Sequence, residues 1–303
     1  MQRTNFNQLL DAGVHFGHLR RKWNPAMAPY IFMEKNGIHI IDLEKTAAKI
    51  DDAASGLKQI ARSGKKILFV ATKKQAKEIV AERVQKTGMP YVTERWPGGM
   101  LTNFPTIRKA VKKMTSIDKM SADGTIVNLS KREKLQIARQ RAKLEKNLGS
   151  ISDLTRLPSA LFIIDVGKEH IAVKEAKRLG IPVFAMVDTN SDPSDIDFVI
   201  PANDDASKSI SLIVDVMCSA IEEGLNERKN EKDKEPSAEA DSAEEVISDK
   251  RRPRRSAIIP PVVAVEEEEV EEVEEEPEEE IAEIEDEVET EEGESEDLPE
   301  AGK

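Results

Sequence analysis

Apolar runs of strand length alternate with amphipathic stretches of helix length along the first 230 residues, and this alternation admits few architectures. Lys66 to Thr72 (KILFVAT) reads as a strand covered on both faces, and Tyr91 to Glu94, Ala160 to Asp165, Val183 to Val187 and Phe198 to Ile200 are further strand candidates. Helical spacing of apolar residues falls between them: Leu43 to Ala61, a stretch ending at Gln85, Glu169 to Leu179, and Ala206 to about Arg228. Thr72 with Gln75 has the spacing of a capping box opening the helix after the first strand. This order of strand and helix predicts an α/β fold with a doubly wound, mostly parallel sheet. Ahead of it, Tyr30-Ile31-Phe32 and Ile38 to Ile41 flank Asn36-Gly37, the dipeptide that most readily takes a tight turn, so a β-hairpin is expected there.

One segment breaks the alternation. Between Phe104 and Leu148 no strand candidate occurs, but apolar residues recur at helical spacing in Phe104, Ile107, Val111, Met114, Ile117 and Met120, and again in Leu135, Ala138, Ala142 and Leu148. Ser130-Lys131-Arg132-Glu133 has the form of a capping box, and Asp123-Gly124 supplies a turn. An antiparallel helical hairpin over residues 104–149, inserted between strands and projecting from the sheet, is the expected result.

Charge divides the chain more sharply than hydropathy does. The 303 residues carry a net −13, yet Glu231 to Lys303 alone has 8 Lys and Arg against 31 Asp and Glu, a net −23, which leaves the preceding body at +10. The acidic segment has glutamate runs, scattered Ser and Pro and no aromatic residue, so it cannot bury enough apolar surface to offset its chain entropy. We therefore expect an α/β domain over 1–228 and a disordered acidic tail over 229–303. Within the tail, Lys250 to Arg255 (KRRPRR) is a basic island that can touch nucleic acid or fold back on the acidic runs. A basic globule joined to an acidic tail points to a polyanion as partner of the globule. The sole cysteine, Cys218, lies in an apolar helical run, which leaves no disulfide framework and no thiolate metal site. Met1 to Asp11 has no apolar stretch of signal-peptide length and no window approaches the roughly 20 apolar residues of a membrane span. A cytoplasmic location without membrane contact is expected.

The basic residues concentrate in two places. Arg108 to Lys146 holds 12 Lys and Arg against 4 Asp and Glu, including Arg108, Lys109, Lys112, Lys113, Lys131, Arg132, Lys134 and Arg139. A solvated helical face usually interleaves both signs one turn apart, and here acids are too few for that. Helices carrying this charge outward by roughly 25 Å suit a phosphate backbone. Arg20-Arg21-Lys22-Trp23 forms the second cluster, where guanidinium groups beside an aromatic ring suit RNA, whose unpaired bases stack on flat side chains; Trp23 packing under the hairpin as core is the other reading. Arg95 opens the loop Arg95 to Asn103, whose Gly98-Gly99 can bring backbone close to a phosphate, although no Gly-Lys-Ser/Thr follows and no GxGxxG is present.

Several stretches in order resemble the bacterial small-subunit ribosomal protein two family: Leu9 to His18 with Trp23-Asn24-Pro25-Ala26-Met27, Arg95 to Asn103, the arm from Ser130 to Gly149, and Pro158 to Pro182. The resemblance spans about Met1 to Gly224 and says nothing of the acidic extension. It implies a flavodoxin-like α/β domain with an inserted coiled-coil hairpin and a non-catalytic, ribosome-associated role. The implied contacts are small-subunit ribosomal RNA near the junction of head and body and other small-subunit proteins, among them the mRNA-binding protein one.

A doubly wound sheet is also a common home of enzymes, so a second class stays open: a sugar-phosphate or nucleotide enzyme built on Gly98-Gly99 and the acidic loop Asp188 to Asp205. Asp188, Asp192, Asp204 and Asp205 can hold a structural Mg²⁺ through oxygen ligands, or can serve as turn and cap residues with no cofactor at all. His15 and His18, three apart, can share a helix face as metal ligands, but no third ligand is nearby in sequence.

Overall fold

The computed structural model describes residues 3–124 and 130–243, with side chains through Glu231. The chain divides into two units, Met1–Ile247 and Ser248–Lys303, and every described residue lies in the first. Its elements in chain order are α1 (Phe6–Asp11), β1 (Phe16–Leu19), β2 (Ile31–Lys35), β3 (Ile38–Ile41), α2 (Leu43–Arg62), β4 (Ile67–Val70), α3 (Lys74–Thr87), β5 (Tyr91–Val92), α4 (Phe104–Ala122), α5 (Lys131–Leu148), β6 (Ala160–Ile164), α6 (His170–Arg178), β7 (Val183–Val187), β8 (Phe198–Pro201) and α7 (Ser207–Ala243).

Five strands form one parallel sheet in the order β5-β4-β6-β7-β8. Because side chains alternate across a strand, the apolar runs feed two cores at once. Ile67, Phe69, Phe162, Ile164, Phe184 and Met186 face a cluster shared with Ile50 and Leu57 of α2, Val80 and Val84 of α3, and Ile213 and Met217 of α7. Leu68, Val70, Leu161, Ile163, Ala185 and Val187 face the other, shared with Val173 of α6, Met27, Trp96, and Val111 and Leu148 at the base of α4 and α5. Each fully buried large side chain in these layers contributes about 1.5–3 kcal/mol of transfer free energy. Where α7 crosses α2, Gly224 allows close approach, since a Cβ there would run into the Lys58 carbonyl oxygen.

The strand order is that of a flavodoxin-like fold, in which β5 and β6, the next two strands along the chain, lie on opposite sides of β4. The crevice at that reversal, outside the carboxyl ends of β4 and β6, is where such sheets keep their sites. Thr72 and Lys73 stand at one lip and Asp165 to Glu169 at the other.

A second, smaller sheet packs beside the first, with β1, β3 and β2 antiparallel in that order. Its hairpin turn is the expected one: Asn36 and Gly37 both take positive φ, 54° and 75°. Phe16, Ile40 and Met33 form one cross-strand row and Leu19, Ile38 and Lys35 the next, on the same face.

Four expectations are corrected. The Thr72 and Gln75 capping box does not form: Lys73 is the N-cap of α3, with no side-chain cap, and the Thr72 hydroxyl instead donates to Glu169. His15 and His18 share no helix, because residues 16–19 are a strand that pairs with β3. Tyr91 to Glu94 shortens to a two-residue strand at the sheet edge. The last helix does not stop near Arg228: α7 runs from Ser207 to Ala243. Lys, Glu and Ala, good helix formers, make up nine of residues 229–243, against Pro236, which disfavours a helix interior, and Glu231 is ion-paired to Arg62 of α2. Residues 244–303, with the Lys250 to Arg255 island, lie outside the described residues.

Candidate nucleic-acid interface

Helices α4 and α5 pack together and both are rooted in the second core. Val111 and Leu148 belong to it, with Ile107 and Leu144 packed against it, and farther out Arg141 is ion-paired to Asp118. Contacts thus move outward along one helix as they move back along the other. The apolar stripe of α4, Val111, Met114 and Ile117, is buried as the spacing requires. At the start of α5, Glu133 N donates to Ser130 Oγ at 3.4 Å and Ser130 N to Glu133 Oε2 at 2.9 Å, so the expected capping box is formed.

The basic residues of this pair divide into two groups. Arg108 is half-buried and donates Nη1 to the Leu154 carbonyl at 2.9 Å, tying α4 to its base. Arg141 is held by Asp118 and by Glu145 at 2.7 Å, and Lys146 by Glu94 at 3.3 Å. By contrast Lys109, Lys112, Lys113, Lys131, Arg132 and Arg139 are exposed and make no ion pair among the described residues. Lys134 is half-buried and engaged. Lys109, Lys112 and Lys113 recur at i, i+3 and i+4, one face of α4.

The second cluster sits on the small sheet. Arg20, Arg21 and Lys22 form a tight helical turn after β1, all three exposed, with Arg20 ion-paired to Glu34 at 3.2 Å. Trp23 closes the turn, 37% exposed, with its ring 5.2 Å from that of His39. It is therefore not simply core. Met27, just beyond, enters the same apolar cluster as Val111 and Leu148, so both basic clusters are mounted on the same face of the main sheet. The outer face of the small sheet is apolar and open: Phe16, Leu19 and Met33 are exposed, and Phe32, at an irregularity in the β2 pairing, is 66% exposed.

The Arg95 to Asn103 loop is no phosphate cradle. Its donors are already taken by the buried Glu175 carboxylate of α6, which accepts from Gly99 N at 2.8 Å, Leu101 N at 2.9 Å, Thr102 N at 3.1 Å, Trp96 Nε1 at 3.2 Å and Thr102 Oγ1 at 3.3 Å. Burial pushes its pKa up, but these donors outweigh that and hold it below the usual glutamate value. Arg95 itself is exposed at the mouth of the loop.

At the carboxyl ends of β7 and β8 a carboxylate cluster surrounds Lys73, which lies 2.8 Å from Asp204 Oδ1 and 2.5 Å from Asp205 Oδ1. His18 reaches it from β1, with Nδ1 3.0 Å from Asp188 Oδ2 and Nε2 3.3 Å from Asp205 Oδ2. Burial, reinforced by the Asp188 charge, pushes Asp204 up to about 7, and its Oδ2 has no hydrogen-bond partner. The hydrogen bond to Asp188 raises the pKa of His18. One ligand atom each from His18, Asp188 and Asp204 fall within 4.8 Å of one another, a spacing suited to a metal ion. Asp192 is not part of this group: its carboxylate accepts from Ser194 N at 3.0 Å and Ser194 Oγ at 2.6 Å, which is turn chemistry.

Comparison with known proteins now decides between scaffold and enzyme. The family model described as Ribosomal protein S2 matches residues 9–224. The chain belongs to the ribosomal protein S2 family. It is 77% identical over 232 residues to the small ribosomal subunit protein uS2 of Phocaeicola vulgatus, covering 77% of this chain and 83% of that one. It is 75% identical over 241 residues to the uS2 of Bacteroides fragilis, covering 79% and 87%, and 70% identical over 252 residues to that of Parabacteroides distasonis, covering 83% and 89%. Membership of the ribosomal protein S2 family makes this a ribosome-associated structural protein and not an enzyme. Among the described residues no helix is long and apolar enough to cross a membrane.

Sequence reasoning missed Glu175, which lies more than 70 residues from every donor it holds, and Lys73, whose partners are equally remote. Neither had a local signal. His18 and the aspartates were each legible as candidate ligands, but nothing in their spacing showed that they meet.

Proposed function

We propose that this protein is built into the small ribosomal subunit by binding small-subunit ribosomal RNA through α4 and α5, acting as an antiparallel coiled-coil hairpin, with the Arg20 to Trp23 turn and Arg95 contributing. The observation that carries this reading is the set of exposed cations, Lys109, Lys112, Lys113, Lys131, Arg132 and Arg139, for which the folded body offers no carboxylate among the described residues. Lys134 adds charge beside them, whereas Arg108 serves chiefly to anchor the hairpin base. Six cations on six phosphates release counterions, so a log-log plot of RNA affinity against salt is expected to slope at roughly −4 to −5. Fluorescence anisotropy with labelled small-subunit RNA between low and physiological salt measures it, and a slope near zero would remove phosphate binding as the basis.

Other small-subunit proteins are its neighbours in this reading, and the open apolar face with Phe16, Phe32 and Met33 is the surface for one of them, the mRNA-binding protein one. The carboxylate cluster serves as a structural cation site. Aspartates alone suggested Mg²⁺, but an imidazole in the donor set of His18, Asp188 and Asp204 suits zinc or another transition dication better. Micromolar zinc is expected to raise Tm by several degrees at pH 7.5, by mass action on the folded state. His18→Ala should lose that rise, and an equal rise in the variant would place the ion elsewhere.

A further inference from the structure

We propose that Trp23 is a stacking shelf for an unpaired RNA base, a site that deepens, and rests on, the RNA-binding reading above. The two tryptophans of the chain are held very differently. Trp96 is 6% exposed and its indole N–H is spent on Glu175. Trp23 is 37% exposed, and its ring leans on His39, 5.2 Å away at 40°. His39 is itself only 7% exposed, and neither of its ring nitrogens has a hydrogen-bond partner. In that position the imidazole supplies no polar contact; what it offers is a flat surface behind the indole.

The shelf is fixed before any ligand arrives. Arg20 N donates to Gly37 O at 2.9 Å, Trp23 N to Arg20 O at 3.3 Å, and Asn24 N to Thr189 O at 2.8 Å, while Asn24 Oδ1 accepts from Ala26 N at 2.9 Å. Little conformational freedom is left to lose on binding. Arg21 and Lys22, exposed and without an ion pair among the described residues, stand beside the ring to take the flanking phosphates. A fixed aromatic face with adjacent cations is the combination that holds single-stranded nucleic acid, because every base has a π-face to offer. A paired base in a duplex has no free face, so the ligand is an unpaired nucleotide.

Full-length protein, titrated at low salt with an oligoadenylate of about 12 nucleotides and with an RNA duplex of equal length, tests this. Oligoadenylate is expected to quench tryptophan emission and the duplex to leave it nearly unchanged. Trp23→Phe should keep most of the affinity and the melting temperature but lose the emission change, and Trp23→Ala should bind oligoadenylate roughly 5- to 150-fold more weakly with an unaltered duplex affinity. Oligoadenylate binding seen by anisotropy without quenching, or quenching that survives Trp23→Phe, or undiminished affinity in Trp23→Ala, overturns the shelf and leaves the helical hairpin's role intact. Binding of the duplex but not of oligoadenylate overturns the shelf alone, and binding of neither RNA overturns both.

Discussion

Reversing Lys112, Lys113, Lys131 and Arg132 to glutamate is expected to weaken binding to small-subunit ribosomal RNA by about 10³-fold near 0.1 M salt, because each lost phosphate contact removes close to one unit of salt slope. The protein itself should remain folded. None of the four side chains is buried, and the apolar stripe of Val111, Met114 and Ile117 is untouched. Lys131 and Arg132 occupy the first turn of α5, where glutamate complements the helix dipole better than the residues it replaces. Sucrose-gradient sedimentation of cell extracts should find the variant at the top of the gradient, with a wild-type circular dichroism spectrum and Tm. Normal incorporation into small subunits would assign the charge of α4 and α5 to ordinary solvation.

Removing the carboxylate of Glu175 should have the largest effect on stability. In Glu175→Ala the buried Trp96 indole N–H and Leu101 amide, and the part-buried amides of Gly99 and Thr102, lose their shared acceptor. The two buried donors left unpaired cost roughly 1–3 kcal/mol each, and the two part-buried amides, which water can reach, add little, for a sum of about 4 kcal/mol. For a domain of this size that lowers Tm by about 10 °C. Because Asn103, the N-cap of α4, closes this loop, RNA affinity should fall in the same variant. Glu175→Gln keeps the shape with half the acceptors and should lose about half as much.

The acid dependence has a definite sign. The folded-state pKa of Glu175 is depressed, so its contribution is present above the ordinary glutamate value of 4.5 and is lost as pH falls below it through the folded value. Thermal melts of wild type and Glu175→Gln should therefore converge in acid. Parallel curves across that range would show that the carboxylate's charge contributes nothing to the loop.

Local chemistry was legible wherever the deciding partners are close in sequence. Asn36-Gly37 specified its turn, Ser130 with Glu133 specified the start of α5, and the apolar runs specified five buried strands because each must satisfy two cores. Thr72 shows where this breaks down: its spacing to Gln75 suggested a cap, but a buried Glu169 nearly a hundred residues away offered a better acceptor. β1 escaped notice for the same reason, since four residues with a partly exposed pattern become a strand only through pairing with β3. Among the candidate contacts, charge density correctly marked α4 and α5 as a basic pair, but spacing could not separate the engaged Arg108 from the open Lys112, because Leu154, which holds Arg108, arrives from another part of the chain. Asp192 was grouped with Asp188 and Asp204 by proximity in sequence, and the fold parts them by turning Asp192 onto Ser194.

The only native thiol, Cys218, is buried, and burial pushes its pKa up to about 12, so a newly introduced surface cysteine is the only reactive one. An iron–EDTA reagent attached to Lys113→Cys, and in a control to Lys208→Cys on the exposed side of α7, can then cut nearby RNA with hydroxyl radicals in reconstituted small subunits. Strong, localised cleavage of small-subunit ribosomal RNA from position 113 and little from position 208 is the outcome predicted for a basic hairpin laid on RNA. Equal cleavage from both positions, or none from 113 in fully assembled subunits, would contradict it.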